Sequence, residues 1–560
     1  AAVERKIMDS KESEIATFAL NSRLIILVFQ CVANAVIPDH DAGVFYPPKD
    51  KSQFSWIDHI IHFLFGGLQR WDAVYFTHII QFGYTYENCI AFFPFYPLVA
   101  SSISSLLQIL GTLHYSSWIL LTCVILNVTL FIATAIILYR LGKVVVNENV
   151  AYYATMMFCL NPASIFMTAP YSEIMYMFLL TSALLKLNKS AILTASFLIG
   201  LSVFTRSNGV IGIGFILHAI AKSLIAELKT LTFTRNDRLL NFLQSSLYLL
   251  LLTIINTIAC IVLSLAPFFI YQFYIYHKFC FPSNHSDSLP PDLILYGRAQ
   301  GYHVIGDEPS PWCKDYLPLS YFYIQKHHWD VGFLHYYQMK QLPNFLLAVP
   351  IIVLSIRSCL HFLKNSLGPF YTLGLFTTKK PSDHLNQDCR NDIVVRNRTA
   401  SKKKTKETMV NDRYPQDYNS FRRMVQSEDI IVYVLHLFGL TVFGCIFIHI
   451  QVLTRFLCSS SPLLYWYCGA LYVQGKQKAN TTDMQHLSTK QNEASENRVA
   501  HNTRTHDIYL SILTRLHLDF IVDVFMSWLY LCFSFRAAFV FFVVYTVTGT
   551  IMFCNFLPWT

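Results

Sequence analysis

Long apolar segments are the feature that most constrains how this chain can fold. They recur from near residue 15 to near residue 556, separated by polar stretches. A helix needs about 20 mostly apolar residues to cross a hydrocarbon core about 30 Å thick. We therefore expect an all-α polytopic membrane protein with about 11 transmembrane helices. The predicted spans are 15–37, 91–110, 118–141, 150–168, 171–187, 191–220, 247–274, 342–356, 430–450, 508–532 and 537–556.

The composition supports this class of protein. Hydrophobic residues make up 54% of the chain, aromatic residues 15% and charged residues only 14%, which argues against a set of water-soluble domains. The formal net charge is +9. Because the basic residues are concentrated in a few loops, they indicate membrane orientation rather than nucleic-acid binding.

The distribution of lysine and arginine predicts that orientation. With a cytosolic N-terminus, loops 38–88 and 275–341 lie on the far, lumenal side, and the basic loops 221–240 and 361–428 lie in the cytosol. The first lumenal loop contains an amphipathic helix, 56–68, that can lie in the plane of the interface. The second is too long for a simple connector, so we expect it to fold.

Two hydrophilic inserts divide the chain. We expect both to be flexible, because neither holds enough apolar residues to order itself. We find no internal repeat. The predicted parts are a transmembrane body 1–376 with its two lumenal loops, a flexible basic cytosolic loop 377–428, a transmembrane or re-entrant segment 429–474, a flexible polar insert 475–507 and C-terminal transmembrane helices 508–560.

Most of the 14 cysteines are packing residues, since many lie inside apolar runs where a free thiol behaves as a small hydrophobe. Cys280 and Cys313 differ because both fall in one polar loop. The sequence does not decide whether a disulfide joins them. Such a disulfide requires that this loop face an oxidising lumen.

Asp72 is the leading candidate for catalysis. It follows Trp71 in an aromatic-rich stretch, 66–97, between the first two apolar segments. Aromatic rings anchor a chain at headgroup depth, and a carboxylate there can accept the proton of a sugar hydroxyl that attacks an anomeric carbon. The alternative is an aspartate that caps the helix predicted at 73–80, and spacing alone favours the cap.

Two further acidic residues lie before this stretch, and a third lies within it. Asp39, His40 and Asp41 match Asp-x-Asp, which can hold a divalent cation against a diphosphate. A polar turn after the first span is the favoured alternative, although Asp39 and His40 can still line a site. Glu87 is expected to be solvated.

Glu173 and Arg206 are charges inside predicted spans. A charge in the membrane costs at least about 2.5 kcal/mol, so such groups usually face a cavity or a partner and are functional candidates. Both can instead lie near the ends of spans and snorkel. Arg206 offers a fork of donors that suits a phosphate.

The long polar loop adds Lys326, His327, His328 and Trp329, which can bind phosphate or stack on sugars, although packing among tyrosines explains them equally well. The chain has no H-E-x-x-H, paired C-x-x-C, P-loop or G-x-S-x-G motif. These absences disfavour zinc protease, zinc-ribbon, P-loop NTPase and serine-hydrolase functions. Composition alone leaves a transporter or a membrane-embedded transferase.

A series of short motifs takes the prediction further, because together they resemble the GPI mannosyltransferase 2, or PIG-V, family. They recur in order over nearly the whole chain, and the two hydrophilic inserts and Asp41 lie outside them. The motifs are Ile37-Pro38-Asp39-His40, Gly67-Leu68, Trp71-Asp72-Ala73, Phe92-Phe93-Pro94, Asn161-Pro162-Ala163, Tyr171-Ser172-Glu173, Arg206-Ser207-Asn208-Gly209, Pro311-Trp312-Cys313, Tyr323-Ile324-Gln325, Val331-Gly332-Phe333-Leu334, Pro343-Asn344-Phe345-Leu346-Leu347, the run from His449 to Phe456 and the run from Cys554 to Thr560.

The resemblance implies a multi-pass endoplasmic reticulum enzyme of the membrane-embedded type C glycosyltransferase class with a lumenal active site. Such an enzyme adds the second, α-1,6-linked mannose to the GPI precursor from dolichyl phosphate mannose, and a metal is not required. Inversion needs one base, and this shifts the balance for Asp72 towards catalysis. The implied substrate-binding residues are Trp71, Asp39, His40, Glu173, Arg206, Asn208, Trp312 and Trp329.

Two other functions stay open at this stage. A polytopic lipid or sugar transporter would be expected to show internal repeats and broken helices around charges at the midplane. A noncatalytic subunit of an endoplasmic reticulum membrane complex would keep its function in cells when Asp72 and Arg206 are substituted. An accessory membrane subunit is also possible for the enzyme itself.

Overall fold

The computed structural model describes residues 2–48, 52–231, 239–281, 289–364, 370–376, 429–490 and 519–557. Within these ranges the regular structure is helical, and the β-structure is one isolated bridge. The α-helices are α1 (Ala2–Val36), α2 (Trp56–Phe65), α3 (Asp72–Phe82), α4 (Phe95–Gln108), α5 (Tyr115–Val145), α6 (Glu148–Cys159), α7 (Glu173–Leu187), α8 (Ile192–Thr205), α9 (Ile213–Thr230), α10 (Leu239–Cys280), α11 (Pro291–Ala299), α12 (Ser320–Trp329), α13 (Leu342–Lys364), α14 (Ile430–Phe447), α15 (Leu453–Cys458), α16 (Pro462–Lys490), α17 (Asp519–Met526) and α18 (Phe533–Cys554).

In the described part of the chain, seven helical segments are long and apolar enough to cross a membrane, which confirms an all-α multi-pass membrane protein. All seven overlap predicted spans. They are Ser10–Val36, Tyr115–Val145, Ser207–Thr230, Leu243–Cys280, Met339–Lys364, Ile430–Phe447 and Phe533–Cys554. The predicted total of about 11 spans is not reproduced by this count, and part of segment 508–532 lies outside the described residues.

Three predicted spans, 91–110, 150–168 and 171–187, form helices of only 14, 12 and 15 residues. Two of them, α6 and α7, are largely buried, as expected for short apolar helices in a protein core. The break between them follows from Pro162 and Pro170, because proline has no backbone N–H for a continuing helix.

The predicted span 191–220 is also interrupted. Helix α8 ends at Thr205, Arg206 is extended, and a 3₁₀ turn at Ser207–Gly212 leads into α9. Gly209 lies so close to the backbone of α8 that an added Cβ would come within 2.6 Å of Ser202 and Val203. The glycine therefore lets the chain turn back against the helix it has just left.

The prediction of a flexible insert at 475–507 is wrong for its first part, because α16 extends to Lys490. A helix already formed in the apolar segment extends by one bond for each residue fixed, without a new nucleation cost. The remainder of that insert and the basic loop 377–428 lie outside the described residues.

The two predicted lumenal loops fold together around a second, aromatic-rich core, and this confirms the folded loop. Tyr86 and Val304 form the isolated β-bridge, and the Glu87 N–H donates to the His303 carbonyl at 3.0 Å. The Tyr86 hydroxyl donates to the Leu293 carbonyl at 2.7 Å. Cys280 and Cys313 are joined by a disulfide. These contacts join the two loops, and Val74 and Ile79 of α3 pack in the same core.

Helix α2 confirms the predicted amphipathic segment. Ser55 and Asp58 form a capping box at its start, and the Asp58 carboxylate also accepts from the His114 N–H at 3.0 Å. Burial opposes ionisation of Asp58, but hydrogen bonds including those from Ser55 and His114 outweigh it and lower its pKa to about 2. Apolar side chains such as Trp56 and Phe63 remain exposed on the outer side, as expected for a helix lying at an interface.

Candidate active site

Helix α3 begins at Asp72, directly after a strained residue. Trp71 has φ 56° and ψ −127°, a conformation that costs a residue with a side chain about 1–3 kcal/mol. The Asp72 N–H donates to the Tyr171 hydroxyl at 3.1 Å, and no side chain caps the helix. The capping role considered for Asp72 is therefore not the one that the structure shows.

The Asp72 carboxylate is held by an arginine from a distant part of the chain. Arg455 on α15 donates from Nη1 to Asp72 Oδ2 at 2.6 Å. Its guanidinium also lies over the rings of Phe166 and Tyr171, with 5.3 and 5.6 Å to their centroids. Asp72 Oδ1 has no hydrogen-bond partner within the described ranges. One carboxylate oxygen is thus fixed and the other is available.

Glu173 and Arg206 form an ion pair next to this one. Arg206 Nη1 lies 2.6 Å from Glu173 Oε1, and it also donates to the Ser172 hydroxyl at 3.3 Å. Glu173 is the first residue of α7, where the helix dipole favours a negative charge. Arg455 Nη1 lies 3.8 Å from the same Glu173 oxygen. The prediction that these charges meet a partner is confirmed, because they are each other's partners.

Asp72, Arg455, Glu173 and Arg206 therefore form one charge cluster of alternating sign, which sums to zero when all four are ionised. Pairing offsets much of the cost of holding charges away from water. The Asp72 and Arg206 side chains are 26% and 22% exposed, whereas Arg455 is 13% and Glu173 0% exposed. The two ends of the cluster can meet a substrate, and the two inner members hold them.

The other residues predicted for the first loop, Asp39 and His40, contact Arg70 just before Asp72 and the end of α18. Asp39 accepts from Arg70 at 2.9 Å, and Arg70 also donates to the Asn34 side chain and to the Cys554 carbonyl. His40 is exposed, and its backbone N–H donates to the Asn555 carbonyl. Arg70 thus ties the loop before Asp72 to both α1 and the end of α18.

Trp71 and Asn208 also take structural positions beside the cluster. The Trp71 ring packs against Phe556, with centroids 6.0 Å apart. Its indole N–H is buried and has no partner in the described ranges. The Asn208 amide donates to the Ser460 hydroxyl at 3.1 Å, two residues beyond the end of α15. Asn208 therefore braces the segment that carries Arg455.

The predicted site residues of the long loop divide into two groups. Trp329 is half-buried and packs on Tyr75 and Phe92, with centroids 6.1 Å apart in both pairs. This places it against α3, one turn beyond Asp72. Trp312 is buried in the second core, where its indole N–H donates to Glu87 at 2.7 Å. In this conformation its ring is not open to a sugar.

The expectation that Glu87 is solvated is wrong. Its side chain is buried, and its carboxylate accepts from Ser310 and Trp312 and lies 3.3 Å from His328 Nε2. Burial raises the pKa of Glu87, but hydrogen bonds from His328, Ser310 and Trp312 outweigh it and hold the pKa below its usual value. Glu87 is a buried anchor that joins loop 38–88 to loop 275–341.

Sequence reasoning missed Arg455 and Arg70. Arg455 lies in the apolar segment 453–473, and the rule that marked Glu173 and Arg206 as candidates applies to it equally. Arg70 carries no such signal, since an arginine in a polar loop is ordinarily solvated. Within the described ranges no group of three or more His, Cys, Asp or Glu side chains is arranged to hold a metal ion.

The chain is similar to known proteins over nearly its whole length. The family model described as mannosyltransferase (PIG-V) matches residues 11–560. GPI alpha-1,6-mannosyltransferase 2 of Cricetulus griseus is 33% identical over 556 residues, covering 99% of each chain. The Homo sapiens protein of the same name is 32% identical over 561 residues, again covering 99% of each chain. GPI mannosyltransferase 2 of Drosophila melanogaster is 32% identical over 466 residues, covering 81% of this chain and 90% of that one.

A solved structure also overlaps the chain, but distantly. It is the archaeal oligosaccharyltransferase AglB from Archaeoglobus fulgidus, in complex with an inhibitory peptide and a dolichol-phosphate. The overlap has a TM-score of 0.30 at 11% identity and covers 94% of this chain and 56% of that chain. That score is too low to support any argument about the site.

Proposed function

The chain belongs to the PIG-V mannosyltransferase family, and from that membership we propose that it adds an α-1,6-linked mannose to the GPI precursor. The donor we propose is dolichyl phosphate mannose, and the mannose added is the second one. The observation that carries the mechanism is the Asp72 carboxylate, with one oxygen fixed by Arg455 and the other without a partner in the described chain.

In the proposed reaction an acceptor hydroxyl attacks the anomeric carbon of mannose. The new carbon–oxygen bond forms as the bond to the lipid phosphate breaks, and the bonding electrons leave with dolichyl phosphate. Asp72 Oδ1 takes the proton of the hydroxyl. A β-linked donor and an α-linked product require one inversion, so a single base is sufficient.

Arg206 is the group we assign to the departing phosphate. Its side chain is 22% exposed, and its guanidinium is anchored on Glu173. A fixed cation stabilises negative charge that develops in the transition state without reorganising at that moment. Since a lipid phosphate is already a good leaving group, the proposed mechanism requires no metal. The other members of the cluster act through Asp72 and Arg206.

The proposal places the reaction in the lumen of the endoplasmic reticulum. Cys280 and Cys313 are joined in the loop that packs around α3, and disulfides persist in oxidising compartments. We expect these two cysteines to resist a membrane-impermeant maleimide added together with a membrane-impermeant reductant to intact microsomes, and to label with the same reagents after permeabilisation. Labelling from the cytosolic side would place Asp72 on the wrong face of the membrane.

Analysis of lipid intermediates tests the function directly. Cells that lack this protein should accumulate a GPI precursor with one mannose, because the second transfer cannot occur. Re-expression of the chain should convert that precursor to later intermediates. Mass spectrometry of labelled glycolipids measures both, and accumulation of a precursor with no mannose or with two would assign the chain to a different step.

A further inference from the structure

The connection between α6 and α7, residues 160–172, is buried although it is not helical. Every residue from Asn161 to Ser172 is buried, and the chain passes through turns there rather than through a regular element. Loops usually run over the surface, because backbone N–H and C=O groups in the interior cannot bond to water and need partners from the protein. The side chains that supply those partners therefore fix the course of this connection.

Side chains from α1 and α5 supply several of these partners. Arg23 of α1 is 0% exposed, and its guanidinium donates to the Ser164 carbonyl at 2.9 Å. Asn127 of α5 is also 0% exposed, and its amide donates to the Ala169 carbonyl and, at 3.3 Å, to the Tyr171 carbonyl. The connection is thus tied to two neighbouring helices, and Tyr171 lies at the end that meets the charge cluster.

Tyr171 touches the charge cluster at two points. Its hydroxyl accepts from the Asp72 N–H at 3.1 Å. The Arg455 guanidinium lies over its ring, 5.6 Å from the centroid, while it donates to Asp72 Oδ2. Tyr171 is 1% exposed, so it is too deeply buried to meet a substrate itself. It contacts the backbone of Asp72 and also the arginine that holds the Asp72 carboxylate.

The start of α3 needs a partner of this kind. The first N–H groups of a helix have no acceptor inside the helix, and in the described chain α3 begins without a side-chain cap. Trp71, just before it, is held at φ 56°, a conformation that persists only where the surroundings enforce it. The Tyr171 hydroxyl bonds to the next residue along, so it opposes relaxation of Trp71. Such relaxation would turn the Asp72 carboxylate out of alignment.

We propose that Tyr171 is a positioning residue, which aligns the base without contacting either substrate. The inference rests on the proposed function, because it takes Asp72 as the base. The Tyr171 hydroxyl fixes the backbone of Asp72, and the ring supports the guanidinium of Arg455, which fixes Oδ2. Loss of the hydroxyl alone should therefore slow the chemical step, since the carboxylate spends less time aligned with the acceptor hydroxyl.

Single-turnover kinetics of Tyr171→Phe test this assignment. The full chain is purified in nanodiscs and assayed with dolichyl phosphate mannose and the single-mannose GPI precursor. Phenylalanine keeps the ring beside Arg455 and removes one hydrogen bond, so the maximal rate of transfer should fall about three- to tenfold. The half-saturating concentrations of donor and acceptor should stay unchanged, because a side chain that is 1% exposed contacts neither of them.

A double-mutant cycle shows whether Tyr171 acts through Asp72. In the Asp72→Asn background, Tyr171→Phe should change the residual rate by less than about twofold, because the base that Tyr171 aligns is already absent. A purely structural role would lower the rate in both backgrounds. An equal fold-loss in the two backgrounds, or a rise in either half-saturating concentration, would therefore overturn the positioning role.

Tyr139→Phe is the matched control for the loss of a buried hydroxyl. Tyr139 is 0% exposed, and its hydroxyl donates to Glu148 at 3.1 Å. It lies 12 residues beyond Asn127 on α5, which places it about 18 Å away along the helix axis. The substitution removes one hydrogen bond of the same length as that between Asp72 and Tyr171, and it should leave the transfer rate unchanged.

Asn127→Leu keeps the assignment testable if thermal unfolding shows that Tyr171→Phe does not fold. It releases the Tyr171 carbonyl and leaves the hydroxyl in place. Transfer should slow in the wild-type background and not in the Asp72→Asn background, and equal slowing in both would contradict the proposal. A wild-type chain that transfers no mannose from this donor would overturn the proposed function and this inference with it. An unchanged rate in folded Tyr171→Phe would overturn this inference alone.

Discussion

Replacing Asp72 with asparagine should lower the kcat for mannose transfer by about 10²- to 10⁴-fold, the usual contribution of a positioned general base. Asparagine has nearly the same shape, and its amide oxygen can still accept the 2.6 Å bond from Arg455. It cannot take a proton at physiological pH. The fold should therefore persist while the chemical step fails.

The measurement is single-turnover transfer from dolichyl phosphate mannose, with expression level and melting temperature followed in parallel. Asp41→Asn is the matched control, because Asp41 lies on an exposed part of the same loop and its carboxylate bonds to the Gly43 N–H. That substitution should leave transfer unchanged. Near wild-type turnover by Asp72→Asn in a folded protein would exclude this carboxylate as the base.

Replacing Arg455 with methionine should destabilise the protein by about 3–5 kcal/mol, because it breaks a buried ion pair and leaves charge without compensation. Glu173, at 0% exposure, would keep only Arg206, and Asp72 would lose the bond to its Oδ2. Transfer should fall as well, because a carboxylate that can rotate spends less time aligned with the acceptor hydroxyl.

Two comparisons separate the roles of Arg455. Arg140→Met removes an ion pair with Glu12 in which the arginine side chain is 53% exposed, so it should cost about 1 kcal/mol or less. Arg455→Lys keeps the positive charge but not the planar guanidinium, which lies over the rings of Phe166 and Tyr171 while it bonds to Asp72. We expect lysine to recover much of the stability while kcat stays low. Full recovery of kcat with lysine would contradict a positioning role, and an unfolding free energy equal to that of the wild type for Arg455→Met would contradict the structural one.

Local pattern was enough to predict several parts of this molecule. Apolar length predicted the seven long helices, and the amphipathic segment became α2. The same reasoning failed for α6 and α7. Both helices are apolar because they are buried inside the protein, and both are too short to span a membrane. It also failed for the start of the polar insert, which continues the helix before it to Lys490.

Individual charges show the same division between local and tertiary information. The cost of a charge in lipid was sufficient to mark Glu173 and Arg206, but not to show that they contact each other. Arg455 was passed over although the same rule applies to it, in a segment that the sequence left open as transmembrane or re-entrant. Glu87 was misjudged because its partners, Ser310, Trp312 and His328, come from a loop more than 200 residues away.

The sequence by itself determined the membrane class, the family and the candidate carboxylate, because apolar length, motif order and residue type are local properties of the chain. Only the tertiary structure decided what that carboxylate touches. Asp72 and Arg455 are 383 residues apart in sequence, and their contact depends on how α3, α7, α8 and α15 pack. Electrostatic interactions act through space over a few ångströms, so the environment of a charge is fixed by the fold rather than by its neighbours along the chain.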